Sequence, residues 1–214
     1  MIRVGIVADT HSPEFLPELP DELFRRLRGV DLILHAGDIG GEETLRRLRE
    51  LAPVEAVRGD HDGAMSDLPP SREVAIGGRR IVIVHGNRSH LVEEPVTLLG
   101  TLSLGLVWPG GGVVEAVRRR FPRADVIIYG HTHRARVEEI DGTLLFNPGA
   151  VYMVTADEAR RRLRNGPGWF QWCWLQVIRH RRDAPVSSVG VLEIPEDRRG
   201  QVRARVYSLD WATG

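Results

Sequence analysis

The sequence of 214 residues contains no lysine, so all 29 of its basic residues are arginine. This absence excludes a Schiff-base lysine and the lysine of a phosphate-binding P-loop. The single cysteine, Cys173, excludes an internal disulfide bond and argues against a cysteine-based metal cluster. The chemistry of the chain must therefore rest on other side chains.

An excess of charge and long apolar runs are also missing. Acidic and basic residues balance at 29 each, so no global attraction to nucleic acid is expected, and recognition of any polyanion must be local. The sequence contains no run of about 18 apolar residues, which is the length needed to span a bilayer. The apolar stretch Ile2 to Ala8 is only strand length and lacks the features of a signal peptide. We therefore expect a cytoplasmic protein without a membrane span.

Strand-like and helical patterns alternate along the first 70 residues, as in α/β proteins. After residue 70, strand-like segments joined by turns are typical of hairpins. The three predicted hairpins are Arg72 to Val84, Arg134 to Phe146 and Ser187 to Leu209. The length suits one domain, residues 1–214, built on one mixed sheet or on two sheets packed face to face.

Two stretches, 87–111 and 152–185, fit this alternation poorly and are interpreted as additions to the domain. They contain four of the five tryptophans, namely Trp108, Trp169, Trp172 and Trp174. Three interpretations remain open: a lid over a site, a contact between subunits of a homo-oligomer, or a thicker core.

Acidic and histidine side chains follow five of the apolar, strand-like runs. The clusters are Asp9-x-His11, Gly37-Asp38, Gly59-Asp60-His61-Asp62, His85-Gly86 and Gly130-His131-Thr132-His133. A parallel sheet would gather them along one edge, where open α/β folds bind ligands. Mixed carboxylate and imidazole ligands favour transition metals over calcium. Seven side chains with one bridging carboxylate would hold two divalent cations: Asp9, His11, Asp38, Asp60, His85, His131 and His133.

The order of these clusters resembles the calcineurin-like metallophosphoesterase superfamily, whose pattern runs DxH, GD, GN(H/C)(D/E), H and GHxH. Residues 1–151 and about 186–210 are most similar to its small YfcE-type phosphodiesterases, and the Asn147-Pro148-Gly149 turn also matches. The resemblance implies a four-layer α/β/β/α sandwich of two mixed β-sheets flanked by helices. It also implies hydrolysis of a phosphodiester or phosphomonoester, with a small phosphate ester as the substrate.

The resemblance further implies two ligand sets that share Asp38. One metal is held by Asp9, His11, Asp38 and His133, and the other by Asp38, Asp60, His85 and His131. Two such cations lower the pKa of a bridging water, and the resulting hydroxide attacks phosphorus in line. Manganese is the expected metal, with nickel, cobalt, iron, zinc and magnesium as alternatives.

His61 falls where the superfamily has a histidine proposed to touch the phosphate and to protonate the leaving group. Asp62 is expected to orient His61, while the competing interpretation makes His61 a plain turn residue. His35, inside a strand, is predicted to be a hydrogen-bonded core residue.

Asp60 departs from the family pattern, which has asparagine at this position. Asparagine offers a carbonyl oxygen to the metal and an amide donor to the substrate. Asp60 keeps the metal contact but replaces the donor with negative charge. We therefore expect tighter metal binding and weaker phosphate binding, unless Asp60 is protonated or paired with an arginine.

Two rival functions remain. The first is a scaffold, because the eukaryotic retromer subunit of the same fold also resembles this chain at the Gly-Asp-x-Asp segment and works mainly as a scaffold. That subunit, however, lacks a complete set of metal ligands. Larger relatives cut DNA with the same centre. Balanced charge and the lack of an extended basic stripe argue against a nuclease.

Overall fold

The structure, a computed structural model, describes residues 1–86, 112–180 and 186–209. The predicted addition at 87–111 and its Trp108 lie outside the described residues. The strands are Ile2–Val7 (β1), Leu32–His35 (β2), Val54–Ala56 (β3), Ser71–Ile76 (β4), Arg79–Val84 (β5), Val126–Tyr129 (β6), Arg136–Ile140 (β7), Thr143–Asn147 (β8), Ser188–Ile194 (β9) and Arg203–Ser208 (β10). The helices are Asp21–Arg26 (α1), Glu42–Arg49 (α2), Val113–Arg120 (α3), Ala156–Arg164 (α4) and Trp169–His180 (α5).

The strands form two mixed sheets of five strands each. The first has the order β10-β9-β1-β2-β3, in which β1, β2 and β3 are parallel and β9 and β10 are antiparallel to their neighbours. The second has the order β4-β5-β6-β8-β7, with β5, β6 and β8 parallel and antiparallel strands at both edges. The three hairpins predicted from the sequence are confirmed as β4–β5, β7–β8 and β9–β10.

The sheets pack face to face because their central strands are apolar on both sides. Ile81 and Ile83 of β5 lie in the core between the sheets with Ile6 of β1. Their neighbours Val82 and Val84 point the other way and pack under α3. Leucines of α1 and α2 cover the outer face of the first sheet. The predicted four-layer α/β/β/α sandwich is therefore confirmed.

Helices α4 and α5 form a helical hairpin after β8. They pack against each other, and Ala159 and Leu175 are buried. Trp169 and Trp172 are exposed, so these two tryptophans do not thicken the core. In the described part of the chain, no helix is long and apolar enough to cross a membrane.

Candidate metal centre

The predicted ligands lie on five loops at one edge of the sandwich. Loops after β1, β2 and β3 bring ligands from the first sheet, and loops after β5 and β6 bring them from the second. Four groups of side chains have donor atoms within 4.8 Å of one another, and three of them consist of predicted ligands alone, the fourth being His11, Glu14 and His61. The three groups of predicted ligands are Asp9, His11 and His133; Asp60, His85 and His131; and Asp9, Asp38 and His85. The fold thus brings together all seven side chains that the sequence singles out.

Asp38 lies between two of these groups. Its Oδ2 is 3.5 Å from Nε2 of His11 and 3.4 Å from Nε2 of His85. Its Oδ1 accepts a hydrogen bond of 2.9 Å from the backbone N–H of His61. One oxygen is therefore held by the backbone, while the other faces imidazoles of both groups.

His85 is buried with one nitrogen prepared as a ligand. Nδ1 donates a hydrogen bond of 2.8 Å to the carbonyl oxygen of Ala36, so Nε2 carries the lone pair of the neutral ring. Nε2 has no hydrogen-bond partner among the described residues, and it lies 3.4 Å from Asp38 and 3.8 Å from Asp60. A lone pair that faces carboxylate oxygens needs a proton or a cation between them. This donor set fits a divalent metal ion.

Two further carboxylates also face imidazole nitrogens. Oδ2 of Asp60 is 3.3 Å from Nδ1 of His131, and Oδ1 of Asp9 is 3.4 Å from Nε2 of His133. The backbone N–H of His131 also approaches both oxygens of Asp9, at 3.2 and 3.3 Å. The loop after β6 is thus fastened directly to the loop after β1.

The pKa values of the metal-free centre reflect burial and the close charges. Burial lowers the pKa of His11 to about 4, although Asp38 and Asp9 oppose this. Burial acts in the same direction on His85, but there Asp38 and Asp9 prevail and raise the pKa to about 10. For Asp60, the hydrogen bond with His131 outweighs burial and holds the carboxyl pKa below its usual range. Asp60 is therefore ionised at neutral pH, which removes one of the exceptions considered for its effect on phosphate.

Five of the seven predicted ligands adopt the left-handed backbone region, with φ between 45° and 66°. They are Asp9, His11, Asp38, His131 and His133. This region costs roughly 1–3 kcal/mol for a residue other than glycine, and such residues cluster at functional sites. The strain must be offset by the packing of the two sheets.

Glycines before the ligands allow the loops to approach closely. A Cβ atom at Gly59 would lie 2.2 Å from Oδ1 of Asp38, and one at Gly130 would lie 2.9 Å from Oδ2 of Asp9. Any larger residue would force the loops apart. This explains why the Gly-Asp and Gly-His pairs recur in the clusters.

His61 lies at the rim of the centre with its side chain about half exposed. Its ring contacts that of His11 edge to face, with centroids 4.9 Å apart. Oε1 of Glu14 lies 3.9 Å from Nδ1 of His61. The ring of Phe15 is 5.3 Å from His11 and 5.7 Å from His61. An accessible imidazole therefore stands beside the ligands, against side chains of the loop after β1.

The hydrogen bonds of Asp62 differ from the contact with His61 that the sequence suggested. Asp62 is buried, and its Oδ1 accepts hydrogen bonds from the backbone N–H groups of Ile39 at 2.8 Å and Gly40 at 3.1 Å. Its Oδ2 accepts one of 2.9 Å from Gly59. Among the described residues, its hydrogen bonds do not include the His61 ring. Asp62 ties the loop after β2 to the loop after β3, and Glu14 is the carboxylate that faces His61.

His35 is fully buried and hydrogen bonded, which confirms its prediction as a core residue. Its Nδ1 accepts a hydrogen bond of 3.2 Å from Gly37, and its Nε2 lies 3.0 Å from the hydroxyl of Thr10. That hydroxyl donates to the carbonyl oxygen of Ile39 at 2.7 Å. Burial lowers the pKa of His35 to about 4, so the ring is neutral at pH 7.

Sequence reasoning missed Glu14, Phe15 and Tyr152 at the rim. The Tyr152 ring lies 5.9 Å from His11 and 5.6 Å from Phe15. The only local signal for Glu14 and Phe15 is their position three and four residues after His11. Tyr152 gives no signal of this kind, because it is far from His11 in the chain.

A two-sheet sandwich with carboxylates and imidazoles gathered at its strand ends places the chain in the class of proteins with a candidate metal centre at a sheet edge. The family model of the calcineurin-like phosphoesterase superfamily domain matches residues 2–162, and the chain belongs to this family. A probable metallophosphoesterase of Methanothermobacter thermautotrophicus is 35% identical over 149 residues, which cover 69% of this chain and 76% of the relative. A phosphodiesterase of Methanocaldococcus jannaschii is 26% identical over 164 residues, which cover 69% of this chain and 83% of the relative.

Among solved structures, Vps29 from Entamoeba histolytica superposes with a TM-score of 0.61 at 23% identity. The match covers 98% of this chain and 100% of the Vps29 chain. At this level of identity the likeness extends to the fold alone.

Proposed function

We propose that this protein hydrolyses a phosphate ester with two divalent metal ions at the centre described above. The position of Oδ2 of Asp38 carries the proposal, because it lies between His11 of one candidate group and His85 of another. A shared carboxylate between two sets of nitrogen ligands is typical of two-metal sites. Membership in the calcineurin-like phosphoesterase superfamily supports phosphate esters as the substrate class.

The two proposed ligand sets share Asp38. Asp9, His11 and His133 complete one set, and Asp60, His85 and His131 complete the other. Mixed oxygen and nitrogen donors suit manganese, which we propose as the metal, with nickel, cobalt, iron, zinc and magnesium as the alternatives to test. When bound, two such cations neutralise phosphate oxygens and lower the pKa of a water so that it can attack phosphorus.

The residues at the rim act on the substrate in this proposal. The half-exposed ring of His61 contacts the phosphate and donates a proton to the oxygen of the leaving group. Glu14 favours the orientation of this ring, because its carboxylate lies 3.9 Å from Nδ1 of His61. Asp62 acts indirectly, since its hydrogen bonds position the backbone from which Asp38 and His61 project.

Asp60 affects the affinity for metal and the affinity for phosphate in opposite directions. Its ionised carboxylate strengthens the charge available to a cation, but it offers no N–H donor to a phosphate oxygen. We therefore propose that this chain binds metal more tightly and phosphate more weakly than family members with asparagine at this position. A phosphodiester substrate is supported by the M. jannaschii relative, which is named a phosphodiesterase.

The main alternative is a scaffold that binds metal without turnover. The likeness to Vps29 concerns the fold alone at 23% identity, and all seven ligand side chains converge here. The presence of an accessible imidazole beside those ligands favours the enzyme. A nuclease is disfavoured by the balanced charge of the chain.

Metal-stripped protein, supplied in turn with manganese, nickel, cobalt, iron, zinc and magnesium, tests the proposal. Hydrolysis of bis-p-nitrophenyl phosphate and p-nitrophenyl phosphate is measured together with the number of bound ions. We expect metal-dependent turnover with two ions bound, and a loss of about 100-fold in kcat for His61→Ala. His180→Ala, at the end of α5, is the matched control and should leave kcat unchanged. Binding of two ions without turnover would instead establish the scaffold, and failure to bind metal would reject both.

A further inference from the structure

We propose that the hairpin of α4 and α5 docks this protein onto an anionic lipid surface. Exposed tryptophans occur on this element together with arginines that form no ion pair within the described part of the chain, and the proposal does not depend on the reaction at the metal centre. Because the whole chain carries no net charge, electrostatic attraction to anionic lipid must come from the hairpin itself.

The apolar part of the proposed surface is a pair of tryptophans on α5. Trp169 is 64% exposed and Trp172 is 46% exposed, and their spacing of three residues places them on neighbouring parts of one helix face. Leu175 is fully buried, so α5 is anchored to the protein through a different set of side chains. Tryptophan is enriched at membrane–water interfaces, where the ring lies among the lipid headgroups.

The charged part comes mainly from α4. Residues 156–180 contain five arginines and only two acidic residues. Both acidic residues form ion pairs within α4, Asp157 with Arg160 and Glu158 with Arg162. Among the described residues, the exposed Arg161 and Arg164 form no ion pair, and they lie in the last turn of α4, close in the chain to Trp169. Exposed cations and exposed tryptophans on one helical hairpin match a surface of anionic headgroups.

This charge distribution disfavours two other occupants. A two-fold contact with a second copy would place the same arginine-rich surfaces against each other. Single-stranded nucleic acid is usually bound along basic grooves with stacked bases, whereas Trp169 and Trp172 lie on an exposed helix face. A lipid surface fits both the aromatic and the charged residues.

The hairpin is connected to the rim of the metal centre through Tyr152. The Tyr152 hydroxyl accepts a hydrogen bond of 2.7 Å from Arg162 and donates one of 3.2 Å to Glu158, both on α4. The ring of the same tyrosine lies 5.9 Å from that of His11. The proposed docking element is therefore in direct contact with a residue at the rim of the centre.

The test is cosedimentation of the full-length, metal-loaded protein with vesicles at physiological salt. One set contains equal parts of phosphatidylglycerol and phosphatidylcholine, and the other contains phosphatidylcholine alone. We expect binding to the anionic vesicles only, weakened about 25-fold by Arg161→Gln with Arg164→Gln, or about fivefold for each charge. Trp169→Ala with Trp172→Ala should weaken binding about tenfold. Circular dichroism verifies that each variant is folded.

Arg203→Gln with Arg205→Gln is the matched control, because it removes two exposed arginines from β10 and should leave vesicle binding unchanged. The proposal is overturned if the wild-type protein does not bind anionic vesicles, or if the control lowers binding as much as the hairpin variants do. It is also overturned if the hairpin variants abolish self-association or RNA binding while vesicle binding persists.

Discussion

Oδ2 of Asp38 lies 3.4 Å from Nε2 of the buried His85, which donates from its other nitrogen to Ala36. The same oxygen is 3.5 Å from Nε2 of His11, on a different loop. Burial acts to raise the pKa of Asp38, but the charges of His85 and His11 and the hydrogen bond from the backbone N–H of His61 outweigh it and hold this pKa well below its ordinary value. A carboxylate that stays ionised between two imidazoles is the structural basis of the proposed two-metal centre.

Asp38→Asn should therefore remove one of two bound metal ions and lower kcat at least about 100-fold, because an amide carries no charge to share between two cations. Metal content after dialysis and hydrolysis rates measure the two effects. Asp67→Asn, at an exposed position, is the control. Retention of two ions with normal turnover in Asp38→Asn would contradict the bridging role.

Asp60→Asn should strengthen phosphate binding and lower KM about three- to tenfold. The change removes a negative charge and adds an amide donor beside the expected phosphate. The affinity for metal should fall at the same time, since a carboxylate is replaced by a carbonyl oxygen. Steady-state kinetics and metal titration separate the two effects, and an unchanged or higher KM would refute the argument from the lost donor.

Asp62→Asn should lower the free energy of unfolding by roughly 2–4 kcal/mol. The carboxylate accepts three backbone hydrogen bonds, whereas an amide would turn its own N–H groups toward some of these donors. Urea unfolding provides the measurement, with Asp67→Asn again as the control. Unchanged stability combined with a shifted pH profile would restore the role in orienting His61 expected from the sequence.

Stability of the metal-stripped protein should fall as the pH is lowered from 6.5 toward 4. The folded-state pKa of His35 is about 4, below the ordinary 6.5, so the unfolded chain takes up the proton first. The stabilising contribution is complete above pH 6.5, and about 3 kcal/mol is lost by pH 4.

Urea unfolding at pH 7 and pH 4.5 measures this loss, and His35→Gln should reduce the difference between the two values. His11 has its pKa lowered to about 4 as well and acts with the same sign, so the variant should retain part of the dependence. An equal pH dependence in wild type and variant would show that His35 is not the source.

Much of the fold follows from local patterns. The Gly77-Gly78 and Asp141-Gly142 turns lie between strand-like runs, and both hairpins form as predicted because such turns reverse a chain within two residues. The order of the strands could not be predicted in this way. For example, β9 pairs with β1, although the two strands lie near opposite ends of the sequence, and no local pattern specifies a partner so far away in the chain.

The candidate site, like the fold, was predictable from the sequence only in part. Its seven ligand positions could be recognised because each follows an apolar run within a short motif. The contacts of Glu14 and Asp62 could not be predicted, since they depend on which loops meet. Asp62 lies next to His61 in the chain, yet its carboxylate binds the backbone of two loops instead.

The sequence alone determined the inventory of carboxylates and imidazoles, their place at strand ends and the family to which they belong. Only the tertiary structure decided that Oδ2 of Asp38 lies between His11 and His85, that Asp62 joins two loops, and that two tryptophans of α5 remain exposed. The reason is physical. Short-range patterns specify strands and turns, whereas distances between side chains on different loops are set by the packing of two complete sheets.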